Sequence, residues 1–63
     1  MNELTDRQKE IMGLVAQGKS NQQIAVILNL SVQTVKNTLS AIYRKMGSDN
    51  RVTATLRFLG VGQ

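Results

Sequence analysis

The sequence predicts an all-α domain of four short helices packed around one core. Three observations carry that expectation. None of the 63 residues is proline, so no position is barred from helix. Only Tyr43 and Phe58 are aromatic, so the core must be assembled from Leu, Ile, Val, Met and Ala, which suit short helices in contact. Helix-start and helix-stop residues also recur along the whole chain. One domain, residues 1–63, is expected at this length, near the lower limit for folding without a disulfide or a metal.

The first helix is expected at about Asp6 to Ala16. Thr5 followed by Gln8 has the form of a capping box. Ile11, Met12, Leu14 and Val15 supply its buried side, and Gly18 ends it in a left-handed conformation. Ser20 with Gln23 repeats the capping box and opens a second helix, about Asn21 to Leu28, with Ile24, Ala25, Ile27 and Leu28 as its apolar face. Asn29 tolerates positive φ and lets the chain turn there.

Ser31 caps a third helix, about Val32 to Met46, which Gly47 stops. Val32, Val35, Leu39, Ile42 and Met46 recur at spacings of three, four, three and four, a helical stripe. Gln33, Lys36, Asn37, Ser40 and Arg44 form the opposite, polar side. Ser48 or Asp49 is expected to cap a fourth helix of about Asn50 to Leu59, with Gly60 and Gly62 releasing the tail. That helix carries two apolar sets, Val52–Leu56–Leu59 and Ala54–Phe58–Val61; either one packs inward and the other faces outward as a partner surface, or so small a domain uses both for its own core.

Composition narrows the function. The absence of cysteine and histidine removes disulfides, thiol nucleophiles, the usual zinc ligands and the commonest general base, so no catalytic, metal or cofactor site is expected. No apolar run is long enough for a membrane span or a signal peptide, and a cytoplasmic location is the default. The formal charge of +4 points to an acidic partner. Its distribution is more telling, because Glu3, Asp6, Glu10 and Asp49 all lie outside the stretch from Ile11 to Ser48. Lys19, Lys36, Arg44 and Lys45 stand inside it unopposed. A solvated basic surface would look the same by charge alone, so position along the fold must separate the two.

Residues 21–40, NQQIAVILNLSVQTVKNTLS, make that separation. Two helices joined by a turn of about three residues, the second rich in hydrogen-bond donors, have helix-turn-helix form. Ala25 is small where the helices cross, Leu30 fills the wedge beneath the turn, and Val35 anchors the second helix on the first. Such a motif places the helix beginning at Val32 in the major groove of double-stranded DNA. Lys36 can donate to guanine O6 and N7, and Asn37 can pair with adenine N6 and N7. Single-stranded RNA fits poorly, because aromatic platforms for stacking are missing.

Several blocks of the chain, in order, resemble the LuxR-type (GerE-type) DNA-binding domain of bacterial transcription regulators. They are LTDRQKEIM at Leu4–Met12, GKSNQQIA at Gly18–Ala25, LSVQTVKNTL at Leu30–Leu39 and IYRKMGSDNR at Ile42–Arg51. The resemblance implies a four-helix domain whose third helix enters the major groove and whose fourth helix forms a dimer contact. By position it implies base reading by Lys36, Asn37 and Ser40, and phosphate contacts by Ser20, Asn21, Thr34, Lys45 and Arg51. Lys19 and Arg44 join the phosphate set on their charge and placement. Val52, Leu56 and Leu59 form the expected dimer face of a homodimer on DNA, in a nucleoid-associated regulator. RNA polymerase or a full-length regulator of the same type are further partners that the resemblance admits. Gln8 and Gln23 stand where the family usually has Glu, and either residue completes a capping box. Thr38 stands where the family frequently has His. The function expected is therefore sequence-specific regulation of transcription without catalysis. The alternative is a LuxR-like module that pairs through its fourth helix with a full-length regulator and blocks it.

Overall fold

The computed structural model describes residues 4–60. Four α-helices follow in order: α1 (Asp6–Ala16), α2 (Asn21–Leu28), α3 (Val32–Met46) and α4 (Arg51–Phe58). The expected all-α, four-helix helix-turn-helix architecture is what forms.

Local hydrogen bonds account for nearly every boundary. At the start of α1, Gln8 N donates to Thr5 Oγ1 at 3.1 Å while Thr5 N donates to Gln8 Oε1 at 2.9 Å. Ser20 and Gln23 do the same for α2, at 3.1 and 2.8 Å. Each reciprocal pair satisfies two amides that the first helical turn leaves without partners. The Ser31 hydroxyl accepts from Thr34 N at 3.0 Å and starts α3.

The first three helices end by one device. Gly18, Asn29 and Gly47 adopt φ of 88°, 57° and 67°. The amide after each reaches back across the last turn: Lys19 N to Leu14 O at 3.1 Å, Leu30 N to Ala25 O at 2.8 Å and Ser48 N to Tyr43 O at 2.9 Å. These are Schellman closures. Asn29 achieves between α2 and α3 what glycine does elsewhere, because its short polar side chain tolerates the left-handed region.

The fourth helix differs from expectation at both ends. It runs Arg51–Phe58 rather than 50–59, and Asn50, not Ser48 or Asp49, is its cap, accepting from Thr53 N at 2.9 Å. Ser48 belongs instead to the turn that closes α3, its amide donating to Tyr43 O and its buried hydroxyl having no hydrogen-bond partner among the described residues. Leu59 is the C-cap, followed by Gly60 at φ 76°. Val61 and Gly62 lie outside the described residues.

The core consists of Ile11, Met12 and Val15 from α1, Ile24 and Ala25 from α2, Val35, Leu39 and Ile42 from α3, and Ala54 from α4. Leu4, Leu14, Leu28, Leu30, Val32, Tyr43, Met46 and Phe58 pack around its edge, half-buried. Ile27 departs from expectation: it is 51% exposed, beside Val26 at 82%. An eight-residue helix wedged between α1 and α3 turns only one narrow face inward, and Ile24 and Ala25 fill it.

Gly47 gives one test of this geometry. A Cβ there would lie 3.3 Å from Arg57 Nη1, on a backbone at φ +67°. Gly47→Ala should therefore cost about 1–2 kcal/mol, read as a fall in Tm of roughly 5–10 °C for a domain this small.

Candidate nucleic-acid interface

The candidate interface lies on α3, the helix divided most sharply between its two sides. Val35, Leu39 and Ile42 are buried, with Val32 and Met46 half-buried along the same stripe. At 3.6 residues per turn, Gln33, Lys36, Asn37, Ser40 and Arg44 fall on the opposite side, and all five are exposed. The side that meets solvent thus carries donors of every needed kind and no carboxylate. The side that meets the core fixes its height and rotation, which base reading requires.

The three residues expected to read bases share this face. Lys36 and Ser40 are exposed without a hydrogen-bond partner among the described residues. Asn37 Oδ1 accepts from Gln33 Nε2 at 2.9 Å, one turn earlier. One lone pair on that oxygen and both amide protons remain for a base edge.

The expected phosphate contacts divide into two groups. Lys19, Ser20, Asn21, Thr34 and Arg44 stand at helix ends or on the exposed side of α3. Ser20 Oγ accepts the bond from Gln23 N that starts α2, and Thr34 Oγ1 accepts from the Ser31 hydroxyl that caps α3. Each keeps its own proton free for an anionic oxygen. The first turn of α2 also carries partial positive charge from its aligned peptides.

Lys45 and Arg51 form the second group, and the structure occupies both internally. Lys45 Nζ donates to Gln8 Oε1 at 3.0 Å, so the end of α3 grips the capping box of α1. Arg51 Nη1 donates to Asn21 Oδ1 at 3.1 Å, and Nη2 donates to the carbonyl of Lys19. Arg57, which sequence reasoning passed over, covers the end of α3 by donating to Met46 O at 2.5 Å and Gly47 O at 3.0 Å. A basic residue ten or eleven positions beyond the helix end it covers leaves no local signal of such a contact. Tyr43 lies near Arg51; burial pushes its hydroxyl pKa up, and the guanidinium pulls it partly back.

The outward face of α4 is the second feature. Ala54 is buried and Phe58 half-buried, while Val52, Leu56 and Leu59 are 68%, 45% and 55% exposed. Among the described residues, the inward and outward members are those the sequence pattern separates; Val61 of the inward set lies outside them. A shallow groove beside α2 is lined by Lys19, Gln22, Gln23, Val26 and Ile27. Among the described residues no helix is long and apolar enough to cross a membrane.

Residues 2–58 match the family described as bacterial regulatory proteins, luxR family. The chain belongs to the luxR family of bacterial regulatory proteins. Among its relatives, the nitrate/nitrite response regulator protein NarP of Escherichia coli is 46% identical over 56 residues, 89% of this chain and 26% of that protein. The transcriptional regulatory protein DesR of Bacillus subtilis is 45% identical over 56 residues, 89% of this chain and 28% of its own length. The DNA-binding transcriptional activator DevR/DosR of Mycobacterium tuberculosis is 38% identical over 53 residues, 84% of this chain and 24% of that protein. This luxR-family domain therefore spans about a quarter of the length of these relatives.

Proposed function

We propose that this domain binds double-stranded DNA sequence-specifically as part of a transcription regulator, with α3 in the major groove. The observation that carries the reading is the exposed stripe of Gln33, Lys36, Asn37, Ser40 and Arg44 on a helix whose opposite side is clamped by buried Val35, Leu39 and Ile42. Lys36, Asn37 and Ser40 read base edges. Lys19, Ser20, Asn21, Thr34 and Arg44 meet phosphates, supplying affinity and salt dependence rather than sequence choice. Family membership supports the reading, as does a relative named a DNA-binding transcriptional activator.

Val52, Leu56 and Leu59 pair two copies on DNA. Their exposure on one short helix favours an apolar partner surface. Two copies related by a two-fold axis would meet half-sites about one helical turn, roughly 10 bp, apart. The second reading, a module that captures a full-length regulator, uses the same three side chains.

Selection of bound duplexes from a random pool tests both readings, followed by titration of the selected duplex at several salt concentrations. A preferred sequence with two half-sites, bound less tightly as salt rises, is the expected result. Equal binding of selected and random duplexes would remove base reading. Leu56→Asp should convert two-half-site binding into weak single-site binding while leaving the sequence preference of each half-site intact. Absence of duplex binding, together with capture of a larger regulator that Leu56→Asp abolishes, would favour the blocking module.

A further inference from the structure

The partly buried contacts of Arg51 are long-range in sequence: its two partners lie 30 and 32 residues earlier, at the first position of α2 and in the α1–α2 turn. A guanidinium is a planar fork of donors with no acceptor. The oxygen of the Asn21 amide must therefore face Arg51, and its NH2 group must face away. The second arm of the fork holds the carbonyl of Lys19, the residue immediately before the Ser20 cap. One side chain from the first position of α4 thus sets both the path into α2 and the orientation of the Asn21 amide.

We infer that Arg51 is a positioning residue for DNA binding: it aligns Lys19 and Asn21 for the backbone of DNA and does not itself neutralise a phosphate. This rests on the DNA-binding reading above and refines it. It also separates two residues that look alike in sequence, since Arg44 is exposed without an internal hydrogen-bond partner among the described residues while Arg51 is engaged on two sides. A guanidinium held by two neutral acceptors within the protein, and not set against a phosphate, displaces no counterion of its own when DNA binds, so its loss changes affinity without changing the salt slope.

The test is duplex titration across salt for the wild type, Arg51→Lys, Arg51→Met and Arg44→Met. Lysine keeps the charge and can serve a phosphate, but it cannot hold two acceptors in one plane. Arg51→Lys and Arg51→Met should both weaken binding by about tenfold, the effect of one lost charge-assisted contact, with the slope of log K against log salt unchanged. Arg44→Met should reduce that slope by about 0.9. Retention of affinity in Arg51→Lys, with a slope reduced by about one in Arg51→Met, would overturn the inference.

Nitrogen-15 NMR of the guanidinium in the wild-type chain keeps the question open to test if a variant unfolds. Hindered, resolved Arg51 Nη protons in the free protein, unaltered by duplex, are expected. Ordering of those protons only when duplex is added would overturn the inference. A wild-type chain that bound no duplex would remove the DNA reading and this refinement together, whereas rescue by lysine in a binding-competent chain removes the refinement alone.

Discussion

Ile42→Ala is expected to remove most of the stability of this domain. Ile42 has no exposed surface and stands on α3, inside the cluster shared by all four helices. Truncating such a side chain costs about 2–5 kcal/mol, the lost transfer energy plus the cavity left behind. Domains hold roughly 0.05–0.15 kcal/mol per residue, so a chain this small has on the order of 3–9 kcal/mol in total. The loss is thus comparable to the whole. Thermal melts followed by helical circular dichroism should show Tm falling by tens of degrees or the transition vanishing. Ile27→Ala is the internal control, since Ile27 is half in solvent and lies outside the buried cluster. A fall in Tm as large as that for Ile42→Ala would mean that α2 is rotated relative to the core.

Replacing both Lys36 and Asn37 by Ala is expected to collapse sequence discrimination while the fold persists. Both are exposed, so neither truncation opens a cavity. Each good base contact is worth about 1–3 kcal/mol of discrimination. Together they amount to roughly 2–6 kcal/mol if the two act independently, a ratio of selected to random binding reduced by about 30-fold or more. Binding to random duplex should fall much less, because only Lys36 carries charge and the phosphate contacts stay. Competition between selected and random duplexes measures the ratio, and an unchanged Tm establishes that the variant is folded. A ratio equal to that of the wild type would place base reading elsewhere on the surface.

Much of this architecture is legible in the residues themselves. The capping pairs Thr5–Gln8 and Ser20–Gln23 and the stops at Gly18, Asn29 and Gly47 are contacts among residues within one turn of each other. Their geometry follows from the helix, so spacing alone reveals them. The same holds for the two sides of α3, where the apolar period sets which donors face outward. The start of α4 was misplaced because Ser48, Asp49 and Asn50 are all good caps in isolation. The choice among them is set by the path of the turn, in which the Ser48 amide closes α3 and the Asn50 side chain accepts from the Thr53 amide.

The amino-acid sequence by itself determined the four helices, the turn at Asn29 and the donor-rich face of α3, since each rests on a repeat or on a cap a few residues long. Only the tertiary structure decided which cations are left free for a partner. Lys45 reaches Gln8 across 37 residues and Arg51 reaches Asn21 across 30, distances at which charge and spacing in a sequence carry no directional information. It also turned Val52, Leu56 and Leu59 outward and left Ile27 in solvent. Whether an apolar residue is buried depends on which neighbours the whole fold brings against it, and a short helix has room for few.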